Sequence, residues 1–272
     1  MSIGILDAVV LGVVEGLTEF LPVSSTGHLT IAEGLLGLDV DDPSVTSFTA
    51  VIQVGAIAAV LIYFARDIAR FVRAFVAGLR SAEGRRTDDW RFTIAVGVGS
   101  LPIGVVGVLF ADVIKGPVLR SLTAVAVGLI AWSAVMVLAE RRATQARGEA
   151  DVRVRDGLLI GLSQCIALVP GVSRSGATIS TGLLLGLDRV SATRMAFFLG
   201  IPALTAAGVT ELPSALDGVE PVPVLVGTVV SFLVGYASIA WLLRLVASRS
   251  IVFFVPYRVA LGVAVLVVLA LT

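Results

Sequence analysis

The sequence predicts an all-α polytopic membrane protein, built as an inverted-topology repeat of six transmembrane helices plus two re-entrant helical hairpins. Three observations point there: an apolar and charge-poor composition, the sorting of basic residues among the loops, and an ungapped internal match at an offset of 149 residues. Of 272 residues, 57% are hydrophobic and 15% charged, with a mean hydropathy of +1.01; soluble domains run near ~45–50% and ~25%. A soluble globular domain is excluded. The 20 basic and 20 acidic residues cancel, so no basic field favours a nucleic-acid partner. One cysteine, Cys165, excludes an intrachain disulfide framework and a Cys-based zinc site.

Six uncharged runs are candidate spans: 48–65, 92–111, 121–139, 195–210, 221–243 and 259–272. About 20 residues cross a bilayer and about 17 is the short end. Run 195–210 is therefore short, and 259–272 is short unless 251–257 contributes. Two further apolar stretches, 1–38 and 157–187, are broken near their middles by charge, Pro and Gly. Seven Arg fall in 66–91, five in 140–156, two in 187–194 and three in 244–258, whereas 39–47 and 211–222 have none and 112–120 has Lys115 and Arg120. The positive-inside rule makes the first group cytoplasmic and the second external. Six spans fit those sides only if 1–38 and 157–187 each return to the side they left. Both are then re-entrant hairpins, the first entering from outside and the second from inside, with both chain termini external. Paired broken segments point to a binding site near the midplane.

Sliding the chain by 149 residues aligns 11–39 with 160–188, and nine of 29 pairs are identical, including Val23-Ser24 with Val172-Ser173 and the run 35–39 with 184–188. Glu15 falls opposite Gln164. The halves are repeat 1, about 1–139, a cytoplasmic linker 140–149, and repeat 2, about 150–272. Each holds one hairpin and three spans, and an odd number of crossings inverts the second half. Together they make one integral membrane domain.

The first hairpin carries the acids. Glu15 and Glu19 are i, i+4, so a helix puts both carboxylates on one face. Charge at mid-membrane costs about 2.5–3.5 kcal/mol per residue, which makes such acids functional candidates; the bland alternative is an interfacial helix with its acids in water. Adjacent carboxylates repel unless one is protonated or a cation lies between them. Hard oxygen donors suit a divalent cation, Mg²⁺ or Ca²⁺. Pro22 ends the helix, Ser24, Ser25 and Thr26 form a hydroxyl-rich turn, and a second helix starts near Ser25 with its N–H groups free to meet an anion. N-capping would account for one of those hydroxyls. His28, the only histidine, follows Ser25 by three residues, so base and nucleophile could face each other.

The second hairpin repeats the plan with Pro170-Gly171, then Ser173, Arg174, Ser175 and Thr178. Arg174 is the one basic residue in a stretch otherwise uncharged from Gly157 to Leu187. Its planar fork suits carboxylate or phosphate, and the plainer expectation is an ion pair with Glu15 or Glu19. Two helix N-termini and an Arg converging from opposite faces make a cradle for a polyanion. Elsewhere, Gly157/Gly161 and Gly182/Gly186 have small-residue packing spacings. Arg66, Arg70 and Arg73 share a helical face suited to anionic lipid. Gln53 is either an interhelical hydrogen bond or a neighbour of the site.

Residues 11–28, from Leu11 through Glu15, Glu19, Pro22 and Ser25 to His28, and residues 170–180, around Pro170-Gly171-Val172-Ser173-Arg174-Ser175, resemble the undecaprenyl-diphosphate phosphatase family, also called bacitracin-resistance proteins. Chain length and span layout agree throughout. The resemblance implies a membrane hydrolase that converts a C55 polyprenyl diphosphate to the monophosphate, recycling the carrier lipid for cell-wall polymer synthesis, from a site open to the external face of the plasma membrane. By position it implies a cation-associated pair in Glu15 and Glu19, nucleophile–base candidates in Ser25 and His28, and diphosphate binding by Arg174, Ser173, Ser175 and Thr178; Ser24 and Thr26 join that set as turn hydroxyls. Either Ser25 attacks with His28 as base, or His28 attacks, or water does so directly. The expected partners are the polyprenyl diphosphate substrate and membrane lipids, and the Gly-rich faces permit a homodimer. The alternative from another class is a polyprenyl-phosphate transporter using the same midplane site.

Overall fold

A computed structural model describes residues 3–40, 42–110, 121–215 and 220–271. Among them are eleven α-helices: α1 (Ile5–Thr18), α2 (Ser25–Leu35), α3 (Pro43–Tyr63), α4 (Ala65–Arg80), α5 (Asp88–Leu109), α6 (Leu122–Arg142), α7 (Val154–Ile166), α8 (Arg174–Leu184), α9 (Arg189–Ala215), α10 (Pro221–Ser248) and α11 (Val255–Leu271). The all-α expectation holds for these residues. Five helical segments are long and apolar enough to cross a membrane: Pro43–Tyr63, Asp88–Leu109, Leu122–Arg142, Pro221–Ser248 and Ile251–Leu271. The chain is thus an integral membrane protein. Run 195–210 lies inside α9, a 27-residue helix outside those five, and the expected external segment 112–120 lies outside the described residues.

Local chemistry sets the helix starts. Asp42 caps α3, accepting from the Ser44 amide at 2.8 Å with Pro43 in the first turn, a position where the missing proline N–H has no cost. Ser121 caps α6 through the Ala124 amide at 3.2 Å, and Ser173 caps α8 through the Gly176 amide at 3.2 Å. The last expected span gains its length from residues 251–254, a 3-10 turn that runs straight into α11.

The two short broken pairs, α1–α2 and α7–α8, are inserted among the long helices. Helix α1 packs along α10, and α7 along α5; α3 meets both α9 and α10, and α6 meets α11 and α8. The α5–α7 seam is backbone against backbone. A Cβ on Gly161 would lie 1.9 Å from the Gly99 carbonyl oxygen, and one on Gly157 2.1 Å from that of Ala95, as expected of small-residue packing. Gly186 differs from that expectation: it sits at φ +86 beyond the end of α8 and closes a turn.

An ionic cluster ties one end of the bundle together. Arg70 reaches Glu149 at 2.7 Å, Asp89 at 3.5 Å and Asp67 at 3.6 Å, Arg194 joins Asp67 at 3.0 Å and Glu149, and Arg189 pairs with Glu140. Arg70 is therefore tied to carboxylates of other elements, although its spacing with Arg66 and Arg73 suggests lipid contact. The linker is docked as well: the Arg147 amide donates to the Gly186 carbonyl at 3.1 Å, and the Asp188 amide donates to the Arg147 carbonyl at 2.8 Å.

Candidate functional site

The site forms where the turns of the two broken pairs meet. Each turn places a serine in the left-handed region just before its second helix, Ser24 at φ 80 and Ser173 at φ 75, a conformation costing about 1–3 kcal/mol for a non-glycine residue. Contacts across the two turns hold it. Ser24 Oγ accepts from the Gly171 amide at 3.1 Å, and Ser175 Oγ donates to the Leu21 carbonyl at 2.9 Å. Between the turns lies Arg258, fully buried in α11. Its guanidinium donates to the carbonyls of Pro22 at 2.7 Å, Gly171 at 2.9 Å and Val172 at 3.2 Å, and to Ser133 Oγ at 3.2 Å. By sequence Arg258 groups with the cytoplasmic loop 244–258, and the structure corrects that placement. The uncharged residues 251–257 extend the helix past it, so it is an interior cation that satisfies carbonyls at both broken ends.

Glu15 and Glu19 stay on one helical course, since Glu19 ends α1 with αR geometry and its amide bonds to the Glu15 carbonyl. Glu19 lies at the centre of the polar chain. It accepts from Ser25 Oγ at 2.6 Å through Oε2 and from Arg174 Nη2 at 3.2 Å through Oε1. Arg174 also donates to the Ala196 carbonyl at 3.2 Å. The pairing expected between Ser25 and His28 is replaced by Ser25 with Glu19. Both imidazole nitrogens have other partners, Nδ1 on the Ser24 carbonyl and Nε2 on the Tyr257 hydroxyl, each at 2.7 Å. Neither Tyr257 nor Arg258 stands out in the sequence as a site residue.

The other hydroxyls divide by location. Ser173, Ser175 and Thr178 are buried, and their side chains bond within or between the turns, Thr178 to the Arg174 carbonyl at 2.8 Å and Ser173 to Ser175 at 3.1 Å. Ser25 and Thr26, by contrast, line a cavity of about 280 Å³ together with Glu15, Glu33, Thr49 and Gln53. Gln53 is thereby a neighbour of the site.

The donor set around Glu15 fits a divalent cation. Glu15 is 1% exposed, it faces the cavity, and its Oε1 has no hydrogen-bond partner among the described residues. An orphaned buried carboxylate oxygen among hydroxyl and amide oxygens suits a hard cation. No group of three or more His, Cys, Asp or Glu suited to a metal occurs among the described residues. The remaining ligands would then be water or substrate oxygens. Both oxygens of Glu19 already accept hydrogen bonds, so Glu15 would be the anchor of such an ion.

Helices broken at one polar centre, with a serine hydroxyl on a carboxylate and an arginine beside it, give this integral membrane protein a constellation suited to phosphoryl transfer. Residues 8–264 match the family described as bacitracin resistance protein BacA, and the chain belongs to that family. It is 57% identical to an undecaprenyl-diphosphatase 1 of Streptomyces coelicolor, covering 96% of this chain and 95% of that one. It is 56% identical to an undecaprenyl-diphosphatase of Acidothermus cellulolyticus, covering 98% and 96%, and 54% identical to an undecaprenyl-diphosphatase 3 of Frankia casuarinae, covering 98% and 97%.

Proposed function

We infer that this chain is a membrane phosphatase that hydrolyses undecaprenyl diphosphate to the monophosphate and inorganic phosphate. The product is the carrier lipid for cell-wall polymer synthesis, and consuming the diphosphate underlies bacitracin resistance. The observation that carries the reading is the bonded series Ser25–Glu19–Arg174, which joins a nucleophile from one broken pair to an anion-binding cation from the other. Full-length likeness to proteins named undecaprenyl-diphosphatase supports the same substrate and does not favour a lipid transporter.

In this mechanism Arg174 and the N-terminal amides of α2 and α8 neutralise the diphosphate. Ser25 Oγ attacks the terminal phosphorus, and its proton passes to Glu19, already 2.6 Å away. The bond from that phosphorus to the bridging oxygen breaks, and the lipid leaves as the monophosphate with its developing charge met by Arg174. Water then attacks the phosphorus of the phosphoserine, giving its proton to a nearby base; the bond from phosphorus to Ser25 Oγ breaks, Oγ takes its proton back from Glu19, and phosphate departs. His28 borders the same turn with Nδ1 on the Ser24 carbonyl and Nε2 on the Tyr257 hydroxyl, and it would act as the second base only by releasing Tyr257. Mg²⁺ or Ca²⁺, held by Glu15, would add charge neutralisation on the phosphate oxygens. Purified protein in nanodiscs with polyprenyl diphosphate and a divalent cation is expected to release phosphate. Arg174→Ala or Glu19→Ala should lower the rate by about 100-fold or more, and an acid-stable phosphoenzyme should be trapped at Ser25. Phosphate release unchanged in both variants would sink the assignment.

The same reading includes the membrane topology: six spans counting α9, α1–α2 and α7–α8 as re-entrant hairpins, and an inverted repeat. The reciprocal packing of α1 on α10 and α7 on α5, and the matching φ values at Ser24 and Ser173, support it. The site opens to the external face of the plasma membrane and both termini are external, which cysteine labelling from each side tests. A homodimer belongs to the same reading, through the face of α5 that carries Gly104 and Gly107, where an added Cβ would meet nothing within 4 Å.

A further inference from the structure

Helix α11 opens with Val255-Pro256-Tyr257-Arg258, and its first turn reaches the site twice. Arg258 holds both broken ends. Tyr257 meets His28, its hydroxyl 2.7 Å from Nε2, with the two rings stacked at a centroid separation of 5.6 Å and 22° between planes. The other imidazole nitrogen, Nδ1, is 2.7 Å from the Ser24 carbonyl oxygen. A carbonyl oxygen can only accept, so Nδ1 carries the proton. In the neutral ring Nε2 is then a lone pair, and the tyrosine hydroxyl is the donor. Ser24 is the strained residue at the tip of the first turn, so the imidazole is clamped between that turn and α11.

We propose that Tyr257 is a positioning residue for His28: its hydroxyl fixes the Nδ1–H tautomer, so that the imidazole ties the Ser24 carbonyl of the first turn, next to Ser25, to α11. The inference rests on the phosphatase reading for its consequence, the placement of the first turn and so of Ser25, but its structural content can be tested without turnover. Tyr257 is 52% exposed, so removing its hydroxyl leaves little buried polar debt. The stacked ring survives in Tyr257→Phe.

His28 is the only histidine in the chain, so protein labelled with ¹⁵N-histidine and purified without a histidine tag reports one imidazole. In nanodiscs at alkaline pH the wild type should show a protonated Nδ1 and an unprotonated, hydrogen-bonded Nε2. Tyr257→Phe should move only the Nε2 resonance, toward the position of a free lone pair. The same variant should lose kcat by roughly tenfold with KM unchanged, the scale of one positioning hydrogen bond. A wild-type ring protonated at Nε2, an Nε2 resonance unmoved by Tyr257→Phe, or an altered resonance with kcat intact would each overturn the proposal. Loss of the phosphatase reading itself would appear separately, as wild-type protein that shows the tautomer yet releases no phosphate.

Discussion

Arg174 reaches Glu19 because residue 200 has no side chain. A Cβ there would lie 1.9 Å from Arg174 Nη1 and 2.6 Å from its Cζ. The obstructing atoms are the far end of a flexible side chain, so the fold can absorb an alanine by swinging the guanidinium aside. Gly200→Ala is therefore expected to leave the thermal midpoint within a few degrees of wild type while lowering kcat/KM by about 10–100-fold, the usual cost of displacing a binding group by about an ångström. Activity assays beside thermal unfolding check this; equal losses in both would mean that Gly200 serves packing alone. Arg174 is legible in the sequence because it stands alone in a long uncharged stretch. Arg258 is not, because Arg244 and Arg249 precede it and give it the look of a loop residue. Its burial follows from carbonyls freed at two turns distant in sequence, and no local pattern carries that information. Ser25 and Glu19 are both legible, yet their pairing is not: a six-residue separation across a break between helices has no periodicity to read.

At the scale of elements, the seam between α5 and α7 carries the second broken pair on the bundle. Because Gly161 faces the Gly99 backbone and Gly157 that of Ala95, neither contact can relax by turning a rotamer; only separation of the helices makes room. Gly161→Val should destabilise the protein by about 1–3 kcal/mol or more, read as a lower midpoint in thermal unfolding. Gly97→Val, on the same α5 but facing open space, should change it little. Equal midpoints for the two variants would contradict the seam. Spacing alone treats Gly157/Gly161 and Gly182/Gly186 alike. The structure separates them: the first pair is a helix contact, whereas Gly186 supplies a positive φ at the end of α8. A four-residue interval cannot distinguish those uses, since both require the smallest side chain. The break points themselves are readable, because Pro22 and Pro170-Gly171 interrupt apolar runs and serines follow them.

Across the whole molecule, the heaviest packing joins the two sequence halves to each other: α1 with α10, α5 with α7, α3 with α9 and α10, and α6 with α11. The halves are visible as a repeat, but the repeat does not say which helices exchange. Nor does it show that the linker is split in its allegiance. Arg147 is bound to Gly186, Asp188 and Asp156, all in the second half, whereas α6 ends at Arg142 in the first. Between these lies Gln145, at φ 51, and a break just before it keeps Arg147 with the half it is bonded to. Buried interfaces of this extent bind without a covalent tether once both parts reach the membrane, at the entropic cost of bringing two chains together. Fragments 1–144 and 145–272, co-expressed, should therefore co-purify and release phosphate from polyprenyl diphosphate, while either alone should not, because Glu19 and Arg174 lie on different fragments. Moving the break to follow Gly148 leaves Arg147 on the first piece, strips the second fragment of its bonds to Gly186, Asp188 and Asp156 before the pieces meet, and should lower the recovery. Equal recovery from the two breaks would show that the Arg147 strap is dispensable, and failure of both to co-purify would show that the linker, not the reciprocal helix packing, holds the site together.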